Sequence, residues 1–536
     1  MSSLMLPDPW TGDDYEAGFP PTLLPELAIM AASNAIREKP MWWQKYKDPA
    51  IAVRWREELR NAGLTRGGGL VLRDEQIDYV FKEVEWHAQR RQQQMDSGVE
   101  APIEVGIDGT RRSDGLISQE LKSRLLACVK KLREVPNHLK DWHPGSNHQV
   151  LDLVHPSLFP VVVGRTMVME EEAIPPLDFV GQGKVLENMP PSHSDEMYCS
   201  QKYQWLPTDF EVSQEGKVKI KSYINNLHPI EHEDMYPVLG EVFEKFLPMF
   251  EEVLGDMQQL ATDKQHRLTE PREWYGEEPV FENDDDYEEY YSTRVPNPVE
   301  VPEFTPRKES KRYNLKTGTP LQVICKLADI ELIPDNPKYE GGVWHVEGMA
   351  NENIVASGIY YYHTENISES RLNFRIQVHE PAYEQNDDRG VEMMYGLQNE
   401  EALVQYLDGI VTRQDRCIAF PNIYQHQVQP FELEDPTKPG TRSILVFFLV
   451  DPTRPILSTT NVPPQQKTWA PRRGLLQEVE DKMPPEIFLA IHKLVDWPIE
   501  LDEAKQHREE LMKERKYFVK TMNTDMFERP FSLCEH

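Results

Sequence analysis

Apolar residues at helical spacing dominate the first 140 residues of the chain. Leucines and a methionine between residues 23 and 30 recur at intervals that place them on one face of a helix. The same spacing predicts helices over residues 74–94 and 116–132, with a polar segment between them. Residues 1–149 are therefore predicted to form a helical N-terminal region.

The pattern changes to that of β-strands near residue 150. Residues 156–164 are rich in β-branched residues and bounded by Pro and Gly, which predicts a strand. Helical spacing returns within an insertion at 230–265, and strands dominate again from 321 to 450. We predict an α+β fold with a β-rich core at 150–470. A helical C-terminal region follows at 471–536, and it either packs on the core or forms a dimer contact.

The segment 270–306 has a different composition, with six prolines and the acidic run Asp284-Asp285-Asp286. Such a segment buries little apolar surface, so a long loop or a linker is the favoured interpretation. An acidic metal-binding loop is the alternative, although runs of charge are usually solvated.

The net charge of the chain disfavours two classes of binding partner. Lys and Arg number 58 against 90 Asp and Glu, a net charge of −32, which disfavours nucleic acid and anionic membrane surfaces. No apolar run approaches the roughly 20 residues of a membrane-spanning helix, and the N-terminal residues lack the features of a signal peptide. The five cysteines include no CxxC pair, which is typical of a reducing compartment. We expect a cytoplasmic protein that acts on a small molecule.

The informative chemistry begins with His345 and Glu347, which lie between two segments with β-strand patterns. Residues i and i+2 of an extended segment point to the same side, so an imidazole and a carboxylate can converge there. These are two of the three ligands in a two-His-one-carboxylate iron site, which leaves coordination positions open. His426, 81 residues later, is the candidate for the third ligand.

Arg442 follows His426 by 16 residues and begins a strand whose same-side neighbours are apolar. A buried guanidinium needs a partner, since an unpaired buried charge is costly. A bound dicarboxylate could be that partner, held by two parallel hydrogen bonds.

The order of these residues resembles that of the iron(II)- and 2-oxoglutarate-dependent oxygenases over about 130 residues. The segment around Cys417-Ile-Ala-Phe-Pro421 is especially similar to their prolyl-hydroxylase-type branch. Other motifs, among them His155-Pro-Ser-Leu-Phe-Pro160 and Ser222-Tyr-Ile-Asn-Asn-Leu-His-Pro229, resemble a large, mostly uncharacterised fungal family. The resemblance implies a double-stranded β-helix (jelly-roll, cupin-like) core, surrounded by N-terminal, inserted and C-terminal helical layers.

The same resemblance assigns roles to individual residues. His345, Glu347 and His426 are expected to hold Fe(II), while Arg442 binds 2-oxoglutarate and O2 is the co-substrate. Glu347 stands where Asp is commoner, and Ile444 stands where some branches have a Ser that contacts 2-oxoglutarate. Three residues are candidates for that missing contact: Tyr360, Tyr362 and Lys326. Two flank a predicted loop and are candidates for substrate contact: Arg371 and Arg375.

Other His-x-acid patterns in the chain include His193 with Asp195 and His232 with Asp234, which compete with the first. Neither has strand context and a suitably spaced His and Arg downstream, so we prefer His345 and Glu347. The expected reaction is hydroxylation, desaturation or oxidative cyclisation at a C–H bond of a small polar metabolite, such as an amino acid or a secondary-metabolism intermediate, with succinate and CO2 as co-products. The alternatives are a protein side-chain hydroxylase and a barrel scaffold without catalysis.

Overall fold

The computed structural model describes residues 6–10, 18–62, 71–169, 183–191, 196–262, 266–308, 310–384, 387–472, 483–487 and 498–533. Helices and sheets are both abundant in these stretches. The helices are α1 Leu24–Arg37, α2 Trp42–Lys45, α3 Pro49–Asn61, α4 Asp74–Asp96, α5 Gln119–Arg133, α6 Met235–Thr262, α7 Asp284–Thr293, α8 Asp388–Tyr395 and α9 Leu501–Met522. No helix among the described residues has both the length and the apolar character needed to cross a bilayer.

The strands form one large sheet, one sheet of three strands and three pairs of short strands. Their bounds are β1 Glu104–Val105, β2 Arg111–Asp114, β3 Val150–Val154, β4 Val161–Val162, β5 Met167–Val168, β6 Lys184–Val185, β7 Tyr203–Gln204, β8 Thr208–Val212, β9 Val218–Ile220, β10 Leu321–Leu332, β11 Lys338–Tyr339, β12 Ile354–Glu365, β13 Ser370–Gln377, β14 Val404–Thr412, β15 Arg416–Pro421, β16 Gln425–Val428, β17 Phe431–Glu432 and β18 Gly440–Val450. The large sheet has the order β1-β2-β15-β12-β18-β10-β8-β9, with β3 also paired to β10. The smaller sheet has the order β14-β13-β16.

One face of the large sheet is covered by α6. Phe243 and Phe246 of this helix pack their rings 5.3 and 5.8 Å from the ring of Phe447 in β18. Gly358 of β12 lies under the same helix, where a Cβ atom would come within 2.8 Å of Phe246. Burial of each phenylalanine stabilises the fold by roughly 1.5–3 kcal/mol, so this apolar layer fixes the sheet against the helix.

The other face of the large sheet meets the three-stranded sheet. Phe374 of β13 and Phe420 of β15 have ring centroids 5.1 Å apart. Arg442 of β18 donates a hydrogen bond of 2.8 Å to the Ser370 hydroxyl of β13. Side chains from both sheets therefore enclose a common interior, which holds the polar residues described below.

Most of the predicted helices form close to their expected positions. The expected helices at 74–94 and 116–132 correspond to α4 and α5, and the inserted helix corresponds to α6. Within the C-terminal region predicted to be helical, 471–536, residues Leu501–Met522 form α9, and residues 473–482, 488–497 and 534–536 lie outside the described residues. The limits of the domains remain a prediction, and two strands from the first 149 residues, β1 and β2, join the large sheet.

Two local predictions are wrong in part. The expected strand at 156–164 is reduced to Val161–Val162, because Phe159 has a φ of 51° and Asn225 binds the carbonyl oxygens of Leu158 and Phe159 instead. The acidic segment contains the helix α7, whose first turn is the acidic run itself. Negative charge stabilises the N-terminus of a helix, which accounts for this helix in an otherwise extended segment.

Candidate metal centre

The segment before β12 and the strand β16 bring two histidines together through their backbones. His345 and His426 form an isolated antiparallel bridge, in which the His426 N–H donates to the His345 oxygen at 2.9 Å. Gly341 precedes this bridge with a φ of 88°, and a Cβ atom there would lie 2.7 Å from the Val428 oxygen. Glycine is required because a side chain would collide with β16 at this turn.

The side chains of His345, Glu347 and His426 converge from this bridge. One potential ligand atom from each lies within 4.8 Å of the others. The Oε1 atom of Glu347 is 3.2 Å from His426 Nε2 and 3.9 Å from His345 Nε2. The His345 Nδ1–H donates to the Val343 oxygen at 2.8 Å, which leaves the Nε2 lone pair free to bind a metal.

The electrostatics of the cluster keep His345 and Glu347 in the states that bind metal. Burial, with a contribution from His426, lowers the pKa of His345 to about 4. Burial disfavours the charge of Glu347, but the hydrogen bond from His426 and the charges of both histidines lower its pKa to about 2. At neutral pH the cluster therefore offers a neutral imidazole and a carboxylate, as a divalent metal requires. These donors fit a divalent iron site with open coordination positions.

Arg442 lies in the same interior and lacks an acidic partner. Its side chain is 3% exposed, and its guanidinium stacks 4.7 Å from the ring centre of Tyr361 and 5.0 Å from that of Phe431. Its Nε has no hydrogen-bond partner, and its Nη1 donates to the Ser370 hydroxyl and not to a carboxylate of the described residues. A buried charge with a free donor suits a carboxylate ligand, so the residues present fit 2-oxoglutarate.

The two tyrosines proposed as cofactor contacts point elsewhere. The Tyr360 hydroxyl donates to Asp415 at 3.3 Å, and the Tyr362 hydroxyl lies 3.4 Å from Asp329 on the face covered by helices. That part of the prediction is corrected: Tyr361, between them, is the tyrosine that faces Arg442. Lys326 remains a candidate, since its charge lowers the pKa of both His345 and Glu347.

The two arginines proposed for substrate contact differ from each other. Arg375 is buried, and it donates to Gln425 at 2.6 Å and to Glu528 at 2.8 Å, so the protein already occupies its guanidinium. Arg371 is half-exposed and lies 3.6 Å from Glu369. Arg375 is therefore corrected from a substrate contact to a residue that binds the C-terminal segment.

The competing His-x-acid patterns have different outcomes. His193 and Asp195 lie outside the described residues. Asp234 forms an ion pair with Lys131 at 2.6 Å. Within the described part of the chain, His232 and Asp234 do not meet a third potential metal ligand.

Comparison with protein families decides where the chain belongs. Residues 74–473 match the model of a family described as a protein of unknown function, DUF4246, and residues 2–58 match its N-terminal domain. The chain belongs to the DUF4246 family. No curated protein matches this DUF4246 chain.

Solved structures give only distant similarity to this DUF4246 protein. IDO from Bacillus thuringiensis matches with 9% identity and a TM-score of 0.14, over 25% of this chain and 46% of that one, so the match spans less than half of that protein. A bsmA homolog from Methylobium petroleophilum PM1 matches with 8% identity and a TM-score of 0.23, over 62% and 85% of the two chains. The Fe(II)/(alpha)ketoglutarate-dependent dioxygenase TqaL matches with 14% identity and a TM-score of 0.19, over 47% and 67%. Likeness at these TM-scores carries no weight for fold or function.

Asn422 is a residue of the site that sequence reasoning missed. Its Oδ1 accepts the Glu347 N–H at 2.8 Å, and its Nδ2 donates to the Glu347 oxygen at 2.9 Å and to the Ile354 oxygen at 2.9 Å. This asparagine replaces the backbone pairing that a strand would have supplied to Glu347. Only its position directly after Pro421, in the strand-ending motif before His426, could have drawn attention to it.

The end of α9 covers the cluster in this DUF4246 protein. Phe518, Val519 and Met522 line a small cavity together with His345. Asn523, just beyond the helix, accepts a hydrogen bond of 2.6 Å from Gln425 and donates to the Trp344 oxygen at 3.2 Å. The cavity has a volume of about 10 Å³, so the C-terminal segment has to move before a substrate can reach His345 from this side.

Proposed function

We propose that this protein is an iron(II)- and 2-oxoglutarate-dependent oxygenase. His345, Glu347 and His426 hold the metal, and Arg442 binds the distal carboxylate of 2-oxoglutarate. The observation that carries the proposal is the presence of both features in one interior: three convergent metal donors and a buried guanidinium without an acidic partner.

The arrangement of the strands supports the same proposal. The large sheet and the sheet β14-β13-β16 enclose the site between them, and we interpret the pair as a double-stranded β-helix. His426 lies on β16 and His345 on the segment that pairs with it, while Arg442 lies on β18 of the opposite sheet. A short dicarboxylate can then reach from the metal to the guanidinium across the interior.

The chemistry follows from these roles. Iron(II) with 2-oxoglutarate and O2 supplies an oxidant for C–H bonds and releases succinate and CO2. Burial keeps the His345 ring neutral, the two histidines keep Glu347 ionised, and Arg442 and Ser370 are available to the carboxylate. The segment around Met522 and Asn523 covers His345 on one side.

We further propose that the substrate is a small polar metabolite. The net charge of −32 disfavours nucleic acid substrates. The cover formed by α9 and the residues after it lies against one side of His345, whose side chain is 30% exposed, and a partly covered site of this kind favours a small molecule over a folded protein. The outcome is hydroxylation, desaturation or oxidative cyclisation.

The test is substrate-dependent formation of succinate. Purified protein with Fe(II), 2-oxoglutarate and fractionated metabolite pools should convert 2-oxoglutarate to succinate, as measured by mass spectrometry. The Arg442→Leu variant should bind 2-oxoglutarate roughly 100-fold more weakly, because a charge-assisted pair of hydrogen bonds contributes about 3 kcal/mol. Its affinity for iron should not change.

Arg371→Leu is the matched control, since Arg371 is a half-exposed arginine on the neighbouring strand β13. It should leave 2-oxoglutarate affinity within twofold of the wild type. Equal losses of 2-oxoglutarate and iron affinity in Arg442→Leu would make Arg442 a structural residue. Succinate formation with protein or peptide extracts alone would favour a side-chain hydroxylase, and no 2-oxoglutarate binding at all would favour the scaffold.

A further inference from the structure

The strand β3 and the segment before it carry a second group of potential metal ligands, His143, Asp152 and His155. Two backbone hydrogen bonds bring the segments side by side: His143 N–H to the Val150 oxygen at 2.8 Å, and Asp152 N–H to the Asp141 oxygen at 2.9 Å. One ligand atom from each of the three side chains lies within 4.8 Å of the others. The rings of His143 and His155 have centroids 4.9 Å apart.

Asp152 is the member of this group that most needs a partner. Its side chain is 1% exposed, and its Oδ2 lies 2.8 Å from His143 Nδ1. Its Oδ1 is buried with no hydrogen-bond partner among the described residues. A buried anionic oxygen without a partner calls for a cation.

The two histidines favour a metal ion as that cation. The Nδ1 atom of buried His155 accepts a backbone N–H, so this nitrogen carries no proton and the ring is neutral. A neutral imidazole is a good ligand for a transition metal and a weak partner for an ammonium group. His155 Nδ1 accepts the Ser157 N–H at 3.2 Å, a contact that has to rearrange when the ring binds a metal. Three metal–ligand bonds outweigh the loss of one such hydrogen bond.

Two positive charges face this group and oppose a further cation. Arg508 of α9 lowers the pKa of His155, but it is paired with Asp141 at 2.6 and 2.9 Å. Lys326 lowers the pKa of Asp152 and of His155. Lys326 is thus the alternative counter-ion for Asp152, although it could not use the two imidazoles.

We propose that His143, Asp152 and His155 form a second binding site for a divalent transition metal ion, separate from the site of His345, Glu347 and His426. Two imidazoles and one carboxylate suit iron, cobalt or zinc. The ion ties β3 to the segment before it, beside the strand β10 that carries Lys326.

The experiment counts metal ions without relying on activity. Anaerobic equilibrium dialysis of the full chain against Co(II), with metal measured by mass spectrometry, should give two equivalents for the wild type. His143→Ala and Asp152→Asn should each lose one equivalent. His345→Ala should lose the other one, and His143→Ala combined with His345→Ala should bind none.

The matched control is His148→Ala, an exposed histidine between His143 and β3 that should retain two equivalents. Because His143 is partly exposed, its variant should fold even where the variant of buried Asp152 does not, and circular dichroism checks both. The proposal is overturned by a single equivalent in the wild type that persists in His143→Ala, or by two equivalents that persist in it. If only the His345 site fails to bind, the wild type gives one equivalent and His143→Ala abolishes it, so the two proposals fail separately.

Discussion

Two segments of this protein have the same His-x-Glu pattern but very different surroundings. His345 and Glu347 approach within 3.9 Å, and His363 and Glu365 approach within 3.7 Å, so the local pairs are nearly the same. The Glu347 side chain is 16% exposed, whereas that of Glu365 is 75% exposed. The difference is that His426 joins only the first pair, and within the described residues no third ligand joins the second. The His-x-Glu spacing therefore brings two side chains together, but a metal site also needs a third ligand from a distant part of the sequence.

The backbones of the two segments are held by different means. His363 and Glu365 belong to β12, where they pair with Ser443 and Thr441 of β18. Glu347 lies outside any strand and is held by the side chain of Asn422. A residue freed from a ladder can turn towards an interior, but a side chain must then satisfy its backbone groups.

The largest effect that separates the two segments is on metal binding. His345→Ala should abolish the visible charge-transfer band that appears when Fe(II) and 2-oxoglutarate are added without oxygen. Mutation of a residue that orients a metal ligand lowers metal affinity roughly 10–100-fold, and removal of a ligand itself should lower it further. Absorption titration of the anaerobic protein measures this.

His363→Ala is the control for this experiment, because it removes a histidine from the same pattern on a neighbouring strand. It should keep the full band. If both variants retain it, or both lose it while they remain folded, the assignment of His345 as a ligand is wrong.

The sequence was sufficient for the cluster but not for its surroundings. Spacing, strand context and order predicted that His345, Glu347 and His426 would meet, because these depend on residue type and on alternation along strands. The choice between Tyr360, Tyr361 and Tyr362 depends on the register of β12 with β18, which shifts between Tyr361 and His363. Only the paired strand decides which face a tyrosine takes, so a prediction from one strand alone chose the wrong residues.

Long-range contacts account for the other errors. Arg375 was expected to meet substrate, but Glu528, 153 residues later, binds its guanidinium. Nothing near either residue in the sequence indicates that contact. The second ligand group was missed for a related reason, since its members are not spaced in a pattern that a single strand or helix explains.

An intermediate effect should follow from the support that Glu347 receives. Asn422→Ala removes three hydrogen bonds to the backbone at Glu347 and Ile354. We expect iron affinity, read from the same absorption band, to fall roughly 10-fold, as for residues that orient metal ligands. The free energy of unfolding should fall by about 1–3 kcal/mol, because backbone groups are left unpaired.

Asn366→Ala is a matched control, because Asn366 also binds several backbone groups, among them the oxygens of Asp435 and Lys438, and none of these partners is a metal donor. It should lower stability to a similar extent and leave the band unchanged. A similar loss of iron affinity in both variants would mean that stability, and not the position of Glu347, controls the site.

The smallest expected effect concerns the C-terminal segment, at the end of α9 and beyond, that covers His345. Glu528→Gln removes the charge that pairs with Arg375, but Glu528 is 48% exposed, and a pair of that kind contributes at most about 1 kcal/mol. Arg375 keeps its hydrogen bond to Gln425 and its contact with Trp344, so the midpoint of unfolding should hardly change. The local closure of residues 518–528 should weaken, and amide hydrogen exchange there should accelerate up to about fivefold, the factor that corresponds to 1 kcal/mol.

Glu369→Gln, at the exposed partner of Arg371, should leave that exchange unchanged. Equal exchange in Glu528→Gln and the wild type would mean that Met522 and Asn523 hold the cover in place without the ion pair.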